Sequence, residues 1–81
     1  MYFVYIIRSV KSPEQVYVGK TTNLQKRLAN HNSGTTYHTD KYKPWELVVY
    51  ICFVDEANAI AFEKYLKSGS GREFRKRHLL S

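Results

Sequence analysis

The side chains with the most chemistry to offer in this chain are Tyr5, Tyr17, Lys20, Arg27, His31 and Glu63. Arg27 and His31 are four positions apart, so on a helix they lie on one side, the side that also carries Leu24. A guanidinium there can fork two hydrogen bonds to a phosphate and steady the charge that builds on it. An imidazole one turn on can donate to a phosphate oxygen or relay a proton. Glu63 is a single carboxylate, which is enough for Mg²⁺ because that ion keeps much of its water. Phosphodiester cleavage asks for these parts: an activated water, a cation near the phosphate and an acid for the leaving oxygen. Each residue also has a plainer reading. Glu63 and Lys67 are spaced for a surface ion pair, Arg27 for a solvated helix charge and His31 for packing. Tyr5 and Tyr17 suit a core in which a hydroxyl reaches water.

The elements that must position these residues follow from patterning. Tyr2 to Ile7 is almost wholly apolar and rich in β-branched and aromatic residues, as expected of a strand buried on both faces. A turn over 11–15 leads to a short strand, Val16 to Val18, the antiparallel partner of the first. If the two pair, the hydroxyls of Tyr5 and Tyr17 can reach one pocket. Gly19 ends that strand where a side chain would obstruct substrate or helix. Thr22 with Gln25 forms a capping box for a helix ending at Gly34, with Leu24 and Leu28 as its stripe. A polar loop runs from Gly34 to Pro44. Glu46 to Val54 is a third strand, with Leu47, Val49, Ile51 and Phe53 on one face. Asp55 caps a helix to about Ser68, with Ala57, Ile60, Ala61 and Leu66 among its buried candidates. Ser70 with Glu73 opens a last helix to about Leu80. The order β-β-α-β-α-α predicts an α+β fold, a three-stranded, mainly antiparallel sheet with packed helices, as a single domain over 1–81.

Charge narrows the partners. The formal net charge is +6 on 81 residues, which favours polyanions. Lys64, Lys67, Arg72, Arg75, Lys76 and Arg77 crowd the C-terminal stretch, opposed mainly by Glu63 and Glu73. This makes Arg72, Arg75 and Lys76 candidates for nucleic-acid contact. In the loop, Tyr37, His38 and Tyr42 interleave with Lys41 and Lys43, a pattern able to stack bases and hold phosphates. The single cysteine, Cys52, rules out an internal disulfide and, with no Cys/His cluster, a zinc site. No run reaches the roughly 18 apolar residues of a membrane span, and no leader pattern opens the chain. A soluble, cytoplasmic setting is the expectation.

Tyr5 in the segment FVYII and Tyr17, twelve positions later in VYVGKT, resemble the two-part signature of the GIY-YIG endonuclease superfamily. Arg27 on the helix after the second motif, His31 one turn on and Glu63 on the second helix complete the pattern. With Lys20 directly after Gly19, the pattern is most similar to the N-terminal nuclease domain of the bacterial excision-repair nuclease. Phe3 and Val4 stand where the first motif has Gly and Ile, and Val18 where the second has Ile. A late polar residue, often Asn in the family, has no counterpart. The resemblance implies the same β-β-α-β-α-α fold and a DNA endonuclease, structure-directed or repair-related, using Mg²⁺ or Mn²⁺ at Glu63. It also implies branched or flapped DNA as substrate and specificity supplied by a partner. One of the two tyrosines would be the general base. A tyrosine is a poor base at pH 7, and Lys20 and a metal would favour its phenolate, so Tyr17 is preferred for its closeness to Lys20. A module that binds nucleic acid without cutting it is the alternative.

Overall fold

The structure is a computed structural model that describes residues 1–34 and 37–80, Tyr37 by its backbone. Its elements are β1 (Tyr2–Ser9), β2 (Val16–Thr21), α1 (Leu24–Ser33), α2 (Tyr37–Asp40), β3 (Trp45–Phe53), α3 (Glu56–Leu66) and α4 (Gly69–His78). The sheet has the order β2-β1-β3, with both neighbours antiparallel to β1. The expected α+β architecture is present, with one addition: the one-turn α2 inside the loop before β3. Among the described residues no helix is long and apolar enough to cross a membrane.

The unbroken apolar run of β1 is explained by its central place. Val4, Tyr5, Ile6 and Ile7 are all at most 2% exposed, so both faces of the strand are covered. Alternation then divides the work. Val4 and Ile6 join Val18, Ala59 and Leu66 in a core beneath α3 and α4. Tyr5 and Ile7 join Trp45, Leu24 and Leu28 beneath α1.

Several boundaries differ from those the patterning suggests. β2 continues through Gly19 and Lys20 to Thr21, because its ladder to β1 runs from Arg8↔Val16 to Phe3↔Thr21 and outweighs the poor strand propensity of Gly and Lys. The cap of α1 is Asn23, not Thr22. Its side chain accepts from the Lys26 N–H at 3.0 Å, a role in which Asn is at least as good as Thr. Gly34, in the left-handed conformation, ends that helix as expected. Ser68, not Ser70, caps α4, its hydroxyl accepting from the Gly71 N–H at 3.2 Å. Asp55 does cap α3, accepting from Ala57 N–H at 2.8 Å.

Two burial patterns also depart from expectation. On β3 the pairing steps from Ile6↔Val49 to Ile7↔Leu47, so Val48 is the extra residue of a bulge. The bulge breaks the expected single face: Val49 and Phe53 pack under α3, whereas Leu47 and Trp45 turn to the α1 side. On α3 the stripe is Ala59, Phe62 and Leu66, while Ile60 stays 49% exposed and Ala57 and Ala61 face outwards.

Candidate active site

The site grows from the centre of the sheet. Tyr5 lies on β1 opposite Gly19 on β2, and its ring crosses that glycine. A Cβ at Gly19 would stand 2.6 Å from Tyr5 Cζ, so the glycine is needed for the tyrosine to lie there. The obstruction foreseen at this position is therefore internal, between the two motifs themselves. Tyr17 sits two residues earlier on the same face of β2, its ring 6.3 Å from that of Tyr5.

α1 brings two partners down onto these rings. Arg27 Nε donates to the Tyr5 hydroxyl at 3.2 Å. His31, fully buried, places Nε2 2.8 Å from the same hydroxyl and Nδ1 2.8 Å from Thr39 Oγ1. Its ring also lies 4.8 Å from that of Tyr17. Burial, reinforced by the Arg27 charge, pushes the His31 pKa down to about 4. The imidazole is thus neutral near pH 7 and carries one proton between two neighbours. With that proton on Nδ1, His31 donates to Thr39 and accepts the Tyr5 O–H, which leaves the Tyr5 lone pairs to Arg27. This assignment gives every group in the chain Arg27–Tyr5–His31–Thr39 a partner.

The electrostatics favour a protonated Tyr5. Burial raises its pKa above the ordinary phenol value, the Arg27 hydrogen bond and charge oppose this, and the charges of Tyr17 and Glu63 add to the rise. Arg27 in turn holds its proton more firmly, chiefly through its bond to Tyr5 and in smaller part through Tyr17. One guanidinium thus serves both tyrosines. Glu63, on α3, is near enough for its charge to be felt at Tyr5. Its carboxylate is 22% exposed and takes a 2.9 Å ion pair from Lys67, the surface pair anticipated from their spacing. Tyr5, Tyr17, Arg27 and His31 therefore converge, with Glu63 at the border.

A family model described as the GIY-YIG catalytic domain matches residues 1–77. The chain belongs to the GIY-YIG family. It is 36% identical to the structure-specific endonuclease subunit SLX1 of Debaryomyces hansenii, an alignment covering 99% of this chain but 24% of that protein. The UPF0213 protein YsiG of Lactococcus lactis is 37% identical over 82% of this chain and 62% of its own length. Among solved structures, the UPF0213 protein BH0048 of Bacillus halodurans is 28% identical, with 95% of this chain and 82% of that chain covered and a TM-score of 0.56.

The remaining GIY-YIG candidates are placed less uniformly. Lys20 does not accompany Tyr17. Two residues occupy one face of a strand only when their spacing is even, so Lys20 leaves β2 on the α3 side, where its ammonium lies 3.5 Å from Glu56. The reason for preferring Tyr17 as base on the strength of Lys20 is lost. Lys41 and Lys43 stay exposed beyond α2, Lys43 paired with Asp40 at 2.8 Å and Lys41 over the Tyr42 ring. The Tyr37 ring and Thr35, both part of the loop expected to meet DNA, lie outside the described residues. Arg72, Arg75 and Lys76 on α4 line clefts against β2.

Thr39 was not foreseen. It is 1% exposed, gives its carbonyl to Trp45 Nε1 at 2.8 Å and its hydroxyl to His31. The signal that could have found it is indirect: a buried neutral histidine needs a partner for each ring nitrogen, and the segment after α1 is rich in hydroxyl side chains.

Proposed function

We propose that this GIY-YIG chain is a divalent-metal-dependent endonuclease that hydrolyses DNA phosphodiester bonds, with branched or flapped DNA as its substrate and a partner protein supplying specificity. The observation that carries the reading is the convergence of Tyr5, Tyr17, Arg27 and His31 on one hydrogen-bonded cluster within electrostatic reach of Glu63. The names of the fungal relatives, structure-specific endonuclease subunits, point the same way for substrate and partner.

The donor set fits a hard cation. Among the described residues no group of three or more His, Cys, Asp or Glu could hold a metal, which leaves Glu63 as a single carboxylate. Mg²⁺ or Mn²⁺ suits such a site, since water fills its other positions, whereas zinc does not. When bound there, the cation supplies positive charge to a phosphate oxygen and makes bound water more acidic. Lys67 must then release Glu63, which its 52% exposure permits.

The protein's own groups do the rest. Arg27 holds the Tyr5 hydroxyl in place through Nε, and its remaining N–H groups meet a phosphate. Tyr17, half-buried and the outer of the two, faces arriving water and substrate, whereas Tyr5 is sealed in. Neutral His31 accepts the Tyr5 O–H at Nε2, 2.8 Å away, and so holds Tyr5 as the protonated phenol. A base at Tyr17 is therefore preferred for its access, with the protonated Tyr5 and neutral His31 fixing Arg27 behind it. Gly19 makes room for the Tyr5 ring, and Arg72, Arg75, Lys76, Lys41 and Lys43 meet the DNA backbone.

The test is incubation of the protein with flapped, branched and plain duplex DNA, with and without Mg²⁺ or Mn²⁺. Metal-dependent cleavage that Glu63→Gln removes, together with calorimetric Mn²⁺ binding that the same change removes, is the expected result. DNA binding without any cleavage would replace this reading by that of a binding module.

A further inference from the structure

The cleft between β2 and α4 combines features that a merely solvated basic helix does not require. It measures about 230 Å³ and is lined by Val16, Tyr17, Val18, Lys67, Arg72 and Arg75. Two guanidinium groups and an ammonium share this lining with no carboxylate. Arg75 is not a free surface charge. It is half-buried, and its Nε is shut off from water without a hydrogen-bond acceptor. A donor left in that state costs stability, and the neighbouring Arg72 charge adds a second cost. Burial and Arg72 accordingly lower the Arg75 pKa. Among the described residues neither arginine has an ion pair, although Glu73 stands between them in sequence.

Such an arrangement is unfavourable in the free protein and becomes favourable once an anion enters. We propose that this cleft is a second phosphate site, in which Arg72 and Arg75, aided by Lys67, hold a phosphate of the DNA strand next to the one that is cut. Tyr17 sets the location: its ring belongs to the candidate active site, and as a residue of the edge strand it also borders this cleft. A strand whose reacting phosphate lies at Tyr17 and Arg27 therefore passes its neighbour to Arg75. Lys67 links the two places: it pairs with Glu63 and also lines the cleft, and a cation held by Glu63 would free its ammonium for the phosphate. The inference rests on the nuclease reading for its substrate.

The experiment separates the two claims. In a Glu63→Gln background, affinity for flapped DNA is measured by fluorescence anisotropy over a range of salt, with and without Arg72→Gln and Arg75→Gln together. The double change should weaken binding about tenfold or more and reduce the salt slope by about one. In the natural protein, a single neutral methylphosphonate linkage beside the cut should raise KM, and that effect should vanish in Arg75→Gln. Inorganic phosphate at millimolar concentration should shift the amide signals of β2 and α4 in the natural protein only. Arg75→Gln should leave Tm unchanged or raise it, because the free protein loses an unsatisfied donor and a like-charge contact. A fall in Tm, or unchanged affinity and salt slope in the double variant, overturns the second site while leaving the nuclease reading intact. Absence of DNA binding by every form defeats both.

Discussion

The two faces of the sheet share a central strand but do different work. Beneath α3 and α4, Val4, Ile6, Val18, Ala59 and Leu66 make an apolar core with no polar duty. Beneath α1, Tyr5 is surrounded by Arg27, His31 and Thr39, and its burial is tolerated only because every polar atom in the chain of contacts has a partner. One face stabilises the fold through area, the other fixes geometry through directed bonds. Adjacent residues of β1 thus have opposite sensitivities, and substitutions can expose the difference.

The largest contrast lies between Tyr5 and its neighbour Ile6. Tyr5→Phe keeps the ring and removes the hydroxyl that joins Arg27 to His31. Cleavage should fall roughly 10²-fold, the range for a misplaced catalytic group, because Arg27 loses the hydroxyl that positions it, while the fold persists. Ile6→Ala should do the reverse: a loss of about 2–5 kcal/mol in stability by denaturant titration, with the remaining folded protein still active. Similar effects of both substitutions on activity per folded molecule would erase the division between the faces.

Acid should attack only the α1 face. His31 is neutral when folded, with a pKa near 4, against an ordinary value of about 6.5. As pH falls below 6.5 the unfolded chain takes up a proton that the folded one refuses, so stability decreases. The contribution is complete above pH 6.5, is lost progressively towards pH 4 and is flat below it. Its size is on the order of 3 kcal/mol. Denaturation curves from pH 7 to 4 should show this slope, and His31→Asn should flatten it.

Thr39→Val removes the Nδ1 partner while keeping shape. A cost of about 1–3 kcal/mol in stability is expected, the penalty of a buried group left unpaired. The hydroxyl-keeping Thr39→Ser should restore most of it. Equal losses in Val and Ser would mean that Thr39 matters through its methyl group.

The same contrast explains what patterning could reveal. Apolar runs and periodicity suffice for the α3 side, because burial by area leaves its mark on residue type: β1 and β3 are legible as strands, and Asp55 as a cap. What failed there depended on pairing. The bulge at Val48 and the stripe centred on Ala59 instead of Ile60 follow from how β3 and α3 meet their neighbours. On the α1 side the order of motifs singles out Tyr5, Tyr17, Arg27 and His31, and the fold brings those four together. Thr39 is not among them, since a lone threonine in a polar segment resembles any surface residue.

Lys20 gives the finest test of the division. Its motif position assigns it to Tyr17, whereas strand alternation sends it to Glu56 on the α3 side. As an exposed ion pair the contact is worth about 0.2–1 kcal/mol, so Lys20→Ala should cost little stability. If the faces are as separate as the geometry makes them, cleavage and its pH profile should also change less than twofold. A tenfold loss, with an alkaline shift of the rate profile, would instead mean that the Lys20 charge reaches the tyrosines around the edge of β2. That outcome would join the α3 side to the site through Lys20 as well as Glu63, and the edge strand would then be a shared wall of the site in place of a boundary between two faces.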